Sequence, residues 1–336
     1  MLLEKRFKEE TLKIKKLLLS VKKECEKEQG DLDKNYWIKY VKELKKRKYP
    51  KINKHFLTLN EMTNMFDQKE FELHKVYLRN NLLELFAQTS MPLNWQIIQK
   101  PLGYAGDYIV SNYFYEEGFS GESLYSMFMD RYTMESPLAT AHRNRKKYLS
   151  KLITKLSYRC ENKLKVASFA CGSSPEVFEV YENGINNVSF TLIDGEEKAI
   201  EFLIEKGKKY PQFKVNVRLY HRNIIDLVRK SEYLEISEQN LIYCAGFFDY
   251  IKDSTATRLI KYMLHILSPG GWLIVLNVSM HDINDVCLKM LSEWDMYHRS
   301  EERMMQLVEN IEGITQKKVL PDFYTKRNLY LIIKKK

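Results

Sequence analysis

The residues of this chain best spaced for chemistry are a run of small side chains, Ala170-Cys171-Gly172-Ser173-Ser174, and the acid Asp194 further on. An apolar run, Val166 to Ala170, leads into the small-residue turn, and an amphipathic helix pattern begins at Glu176. A second apolar run, Val188 to Ile193, ends on Asp194. Strand, tight loop, helix, strand and acid form the first half of a nucleotide-binding α/β unit. The loop admits a ligand to backbone at a helix N-terminus, and the acid accepts hydrogen bonds from a ribose. A dinucleotide fingerprint needs G-x-G-x-x-G, whereas this loop has Gly172 alone, so pyrophosphate is disfavoured. Small residues beside an amino-acid moiety, with an acid for the ribose, suit S-adenosylmethionine better. An acid closing an apolar strand is costly unless exposed or paired, and a ligand is the expected partner of Asp194.

The elements that must position these residues follow from periodicity. Residues 1–90 read as helices: Leu12, Ile14, Leu17, Leu18 and Val21 recur near helical spacing among lysines, and Pro50 predicts a break. Residues 91–125 are punctuated by Pro and Gly, predicting ordered loop and short helix around Gly103-Tyr104-Ala105-Gly106-Asp107. Helix returns over 126–160, with Ser136-Pro137 as its start signal and His142, Arg143 and Arg145 on or beside its apolar face. Strands are then expected near 165–170, 188–194, 214–220, 239–245, 271–277, 315–320 and 328–334. Helices are expected near 175–183, 196–209, 254–267, about 284–292 and 300–311. Such alternation implies a mostly parallel sheet covered on both faces. The connection Pro321 to Arg327 is too short for a helical crossover, so the last two strands should pair antiparallel. Ligand residues then belong at the C-terminal strand ends: Ala170 to Ser174, Asp194, Asn223, and Cys244 to Asp249.

Composition narrows the class. The 336 residues carry a net charge of +10. Residues 1–90 hold 21 Lys and Arg against 14 Asp and Glu, about +7, and Lys334-Lys335-Lys336 supply the rest. A solvated lysine-rich helical face explains this better than a nucleic-acid surface. No apolar run is long enough for a transmembrane helix, and the first ten residues mix acids and bases unlike a signal peptide. Five scattered cysteines (Cys25, Cys160, Cys171, Cys244, Cys287) show no ligand spacing, which predicts reduced thiols, a cytoplasmic setting and no metal.

Taken together, the C-terminal motifs resemble those of class I S-adenosylmethionine-dependent methyltransferases. FACGSSPE stands in place of that family's glycine-rich first motif and LIDGEE in place of its acidic second; RNIID and LIYCAGFFDYI resemble the third and fourth, and LSPGGWLIV the turn and strand that follow. More narrowly, KPLGYAGDY, ESPLATAHRNRKKYL, NLIYCAGFFDYI and WDMYHRSEERM resemble bacterial 3-hydroxypalmitic acid methyl ester biosynthesis proteins, which are carboxyl methyltransferases. The likeness spans roughly residues 95–336. Ser168 and Ser174 depart from the acid and glycine usual in the first motif, and residues 1–90 match no motif.

The resemblance implies a Rossmann-like seven-stranded α/β sheet with an antiparallel last strand, preceded by a helical N-terminal lobe. The expected domains are the lobe (1–90), a cap or linker with the GYAGD loop and a helix (91–160), and the cofactor-binding domain (161–336). It implies S-adenosylmethionine contacts from Ala170, Gly172, Ser173, Asp194, Asn223, Ile224, Cys244, Ala245, Gly246 and Phe248, with Glu196 or Glu197 as helpers. A carboxylate acceptor is already ionised and needs orienting donors; Tyr104, Tyr108, His142, Arg143, His281 and Arg299 are the candidates. Asp107, Asp249 and His281 are the candidate bases for a protonated acceptor. Phe247, Phe248, Trp272, Trp294 and Tyr297 are candidate walls of an apolar pocket. The expected partner is a small apolar carboxylic acid, and the reading allows a homodimer through the helical lobe. Competing readings are a protein or nucleic-acid methyltransferase and a non-catalytic S-adenosylmethionine-binding regulator.

Overall fold

A computed structural model describes residues 4–30, 33–229, 234, 236, 238–279 and 286–336. The chain divides into two compact units, Met1–Thr140 with His281–Asp295, and Ala141–Met280 with Met296–Lys336.

The first unit is helical. Its elements are α1 Lys5–Gln29, α2 Lys34–Thr63, α3 Gln68–Phe86, α4 Pro92–Gln99, α5 Tyr108–Glu116 and α6 Leu124–Met134, with a π-helical turn at Cys287–Leu291. On α1 the buried positions Phe7, Thr11, Ile14, Leu18, Val21 and Cys25 alternate steps of four and three, a single stripe facing the core. Val41, Leu44, Ile52, Phe56 and Leu59 of α2 and Leu78 and Leu82 of α3 meet that stripe. Leu12, expected on the apolar face, is exposed. Asp67 opens α3 with a capping box: its carboxylate accepts from Glu70 N at 2.8 Å, and Glu70 accepts from Asp67 N at 3.2 Å.

Pro50 does not break the chain; α2 runs through it. The missing hydrogen bond is outweighed by anchoring on either side. Tyr49 donates its hydroxyl to Phe128 O at 2.9 Å and stacks edge-on against Phe128 and Tyr132, while Ile52 and Phe56 are wholly buried.

The second unit carries α7 (Pro137–Ser157), whose first residues fall in the first unit, and a seven-stranded sheet. The strands are β1 Leu164–Phe169, β2 Val188–Asp194, β3 Val217–His221, β4 Gln239–Cys244, β5 Leu267–Val278, β6 Ile314–Pro321 and β7 Asn328–Lys335. Their order is β3-β2-β1-β4-β5-β7-β6, parallel from β3 to β5, with β7 antiparallel to both β5 and β6. This is the seven-stranded α/β sheet expected from the sequence, and the antiparallel closing pair is as the short connection predicts. Alternate residues feed two cores. Ala167, Phe169, Ile242 and Val275 join one face, and Val166, Phe190, Leu241 and Ile274 the other.

Helices α8 Pro175–Glu182, α9 Glu197–Gly207, α10 Pro211–Asn216, α11 Ile224–Arg229, α12 Asp253–His265 and α13 Glu301–Gln306 complete the unit. The strand expected from 214 starts later, because Pro211 opens the short α10. The helix expected near 284–292 is described only from Val286, where it is π-helical. Edge strand β6 is exposed and carries Lys317 and Lys318, which discourages pairing with another chain.

Pro50→Ala restores a backbone donor in an intact helix. It should stabilise the protein by about 1–3 kcal/mol in urea unfolding; a loss of stability would contradict the account of α2.

Candidate ligand site at the strand ends

Register places three loops at one edge. Phe169 of β1 pairs with Ile193 of β2 and with Cys244 of β4, so the chain leaves the sheet side by side at Ala170, Asp194 and Ala245. The first loop turns sharply: Ala170, Gly172 and Ser174 have φ of 49°, 54° and 39°, all left-handed. Two of these are not glycine, and each costs about 1 kcal/mol or more that the surroundings must supply. Ser174 N donates to Cys171 O at 3.1 Å, and Cys171 N to Ile193 O at 3.0 Å.

Asp194 holds this turn. Its carboxylate accepts from Gly172 N at 2.7 Å and from Glu196 N at 2.9 Å, and it is buried. Burial pushes its pKa up, and the two N–H donors pull against that. The expectation that a ligand must account for the buried acid is therefore corrected: the chain's own backbone pairs with it. One polar atom in the turn is left over. Ser173 Oγ is buried with no hydrogen-bond partner among the described residues. A buried hydroxyl without a partner is costly, and a polar ligand group would satisfy it. Together with the small side chains of Ala170 and Gly172, this cradle fits the amino-acid end of S-adenosylmethionine.

The remaining predicted cofactor residues separate into edge and core. Ala245 and Gly246 are half-buried in the loop after β4, Gly246 with φ of 143°. Cys244 is wholly buried and its thiol is pushed far up by burial, so it packs as a small hydrophobe. Phe248, expected to cover a ligand, lies fully inside the core below the edge, and its neighbour Phe247 is the partly buried ring at this turn. Asn223 is exposed and caps α11, its side-chain oxygen accepting from Ile225 N at 2.9 Å, while Ile224 is buried in the core.

Arg299 is not a substrate donor. The side chain is fully buried: Nε donates to Asp253 at 2.9 Å, Nη1 to Phe248 O at 2.7 Å and to Asn277 Oδ1, and Nη2 to Ile251 O at 2.6 Å. It braces the loop after β4 against β5 and α12. Asp253 would be raised by burial, but hydrogen bonds from Arg303 and Arg299 outweigh this and hold it below the usual carboxylate range. Asp107 is likewise structural: buried at the start of α5, it accepts from Val110 N at 2.9 Å and Gln96 Nε2 at 2.6 Å. Trp272 pairs with Leu241 near the opposite end of the strands and stacks under Lys334, away from the ligand edge. Tyr104 is exposed in the first unit, His142 is buried on α7 in the second, and His281 lies outside the described residues.

Two contributors escape sequence reasoning. Arg145 of α7 is buried with Nη1 near Gly246: an ideal Cβ there would sit 2.9 Å from it, so a side chain at this position would push the guanidinium aside. Its charge reaches Glu176, Asp249 and Cys244. Glu176, in the first turn of α8, is buried and accepts from Tyr243 Oη at 2.6 Å. Glu176 follows the small-residue loop closely enough to be found by position; Arg145 lies on a helix before the first strand, and no spacing links it to Gly246.

Neither a family model nor a curated protein matches the sequence. Solved structures do match in fold. A possible exported protein of Bordetella parapertussis aligns with a TM-score of 0.54 and 16% identity, over 81% of this chain and 89% of that one. The magnesium protoporphyrin IX methyltransferase of Synechocystis PCC 6803 with bound SAM gives 0.42 and 12%, over 58% and 82%. A SAM-dependent methyltransferase of Aquifex aeolicus gives 0.40 and 12%, over 56% and 89%. At such identities likeness concerns fold alone, and chemistry must be argued from the site.

Two outcomes test this geometry. Arg299→Ala strands several buried acceptors and should cost about 3–5 kcal/mol of stability in denaturant unfolding; a change within experimental error would refute the brace. Asp249 accepts from Val278 N at 2.6 Å, and burial pushes its pKa up to about 7 despite the nearby Arg145 and Arg299 charges. An acid raised on folding binds its proton more tightly in the native state, so its contribution is favourable at low pH. That contribution is lost as pH rises from about 4 to about 7. Asp249→Asn should flatten this part of the stability–pH curve; an unchanged slope would contradict the assignment.

Proposed function

We propose that this chain is an S-adenosylmethionine-dependent methyltransferase that methylates a carboxylate oxygen of a small apolar acid. The observation that carries the first part is the Ala170–Ser174 cradle, tied to Asp194 and leaving Ser173 Oγ buried without a partner. In this reading Ala170, Gly172 and Ser173 take the methionine end, and Asp194, with Glu196 beside it, offers its remaining lone pairs to the ribose. Asn223 and Ile224 flank the adenine. Ala245 and Gly246 line the space near the transferred methyl, and Arg145 supplies a buried cation for a carboxylate at that edge.

The cofactor brings an electrophilic methyl on a sulfonium; the chain's task is to hold both reactants in line and exclude water. A carboxylate is ionised at neutral pH, so no base is required. That suits a site in which the acid of the loop after β4, Asp249, is already engaged by Val278 N. His142 and Arg143, on α7 in the same unit as the cradle, are the donors proposed to orient the acceptor. The carboxylate assignment itself draws on the resemblance of the GYAGD, HRNRKKYL and HRSEERM segments to carboxyl methyltransferases.

Incubating the protein with methyl-labelled S-adenosylmethionine and, separately, lipid, RNA and protein extracts tests the reading. Label should enter the lipid pool and be released by mild base, as from an ester. Label confined to RNA or protein, or a base-stable lipid product, would overturn the acceptor assignment.

A further inference from the structure

Within the first unit, an apolar pocket opens between α4, α5 and the π-helical turn. We propose that it binds a neutral apolar small molecule through a carbonyl or ether oxygen. It is lined in part by Ile97, Phe114, Leu288, Leu291 and Trp294, around a narrow cavity of about 50 Å³ that is open at its mouth. Asn94 of α4 also lines it. The residue is 3% exposed, and its Nδ2 is buried with no hydrogen-bond partner among the described residues. An orphaned amide donor beside apolar walls is unfavourable unless something accepts from it, and a ligand oxygen does so without bringing a charge. None of the described lining residues is charged, so an ionised carboxylate would be buried unpaired. The ligand is therefore neutral.

Cys287–Leu291 is π-helical, a distortion enriched at functional sites. It is held by Arg79, which donates to Leu291 O at 2.5 Å, and by Ser292 Oγ, which donates to Cys287 O at 2.9 Å. Arg79 and Lys75 also pair with Glu293 at 3.2 Å each. The turn is thus fixed to α3, with Leu288 and Leu291 presented to the pocket. This inference stands independently of the methyl-transfer reading.

Calorimetric titration of the full chain with methyl octanoate, and with octanoate at pH 8, tests it. The ester should bind saturably and at least tenfold more tightly than the carboxylate. Asn94→Leu removes the orphan donor at similar volume; it should keep or raise the melting temperature and weaken ester binding at least fivefold. Leu288→Trp, at a half-buried position, should abolish binding by filling the pocket. Absence of saturable ester binding to the wild type, equal binding of octanoate, or undiminished binding by both variants would overturn the proposal. The two substitutions sit on different elements, so a folding defect in one leaves the other decisive.

Discussion

A buried carboxylate held by backbone N–H groups is the constraint on which the ligand edge depends. Asp194 ends the strand beside β1, where solvent no longer stabilises its charge, and the donors available are Gly172 N and Glu196 N. Those bonds fix two loops at once. They hold the turn after β1 in its run of left-handed residues, including Ala170 and Ser174, which would otherwise relax. On the other side of β1, Arg299 does the complementary work, a buried cation satisfied by Phe248 O, Ile251 O, Asn277 and Asp253. Two buried charges of opposite sign, each paired within the chain, therefore make the strand ends rigid. What remains unpaired between them, Ser173 Oγ, is small and specific.

Much of the sheet was legible because its strands are apolar runs broken by turn residues, and because a seven-residue connection cannot carry a crossover helix. The loop and Asp194 were legible for the same local reason: they follow strands directly. The roles of Arg299 and Asp107 were misjudged, since their polar atoms are taken up by partners within the chain, and one-dimensional spacing does not report those partners. Phe248 shows the same failure on the apolar side, with a ring expected to cover the ligand found wholly in the core. Pro50 misled in the opposite sense: a local breaker was overridden by tertiary anchoring through Tyr49 and Ile52.

Long-range pairings were invisible throughout. Arg145 and Gly246 explain each other, yet a hundred residues separate them. The first unit is discontinuous, since its core takes in Val286, Met290 and Leu291 from a segment inserted after β5. No periodicity in residues 1–90 hints at that return. The segment also forms the wall of the apolar pocket, so the helical unit acquires a candidate binding function that its own sequence, read as lysine-rich amphipathic helix, did not suggest.

Calorimetric titration with S-adenosylmethionine and S-adenosylhomocysteine tests the central claim most directly. The account predicts saturable one-to-one binding of both by the wild type, weakened at least tenfold in a folded Asp194→Ala variant, which loses the loop clamp and the ribose acceptor together. Absence of saturable binding by the wild type, or undiminished binding by the variant, would contradict it.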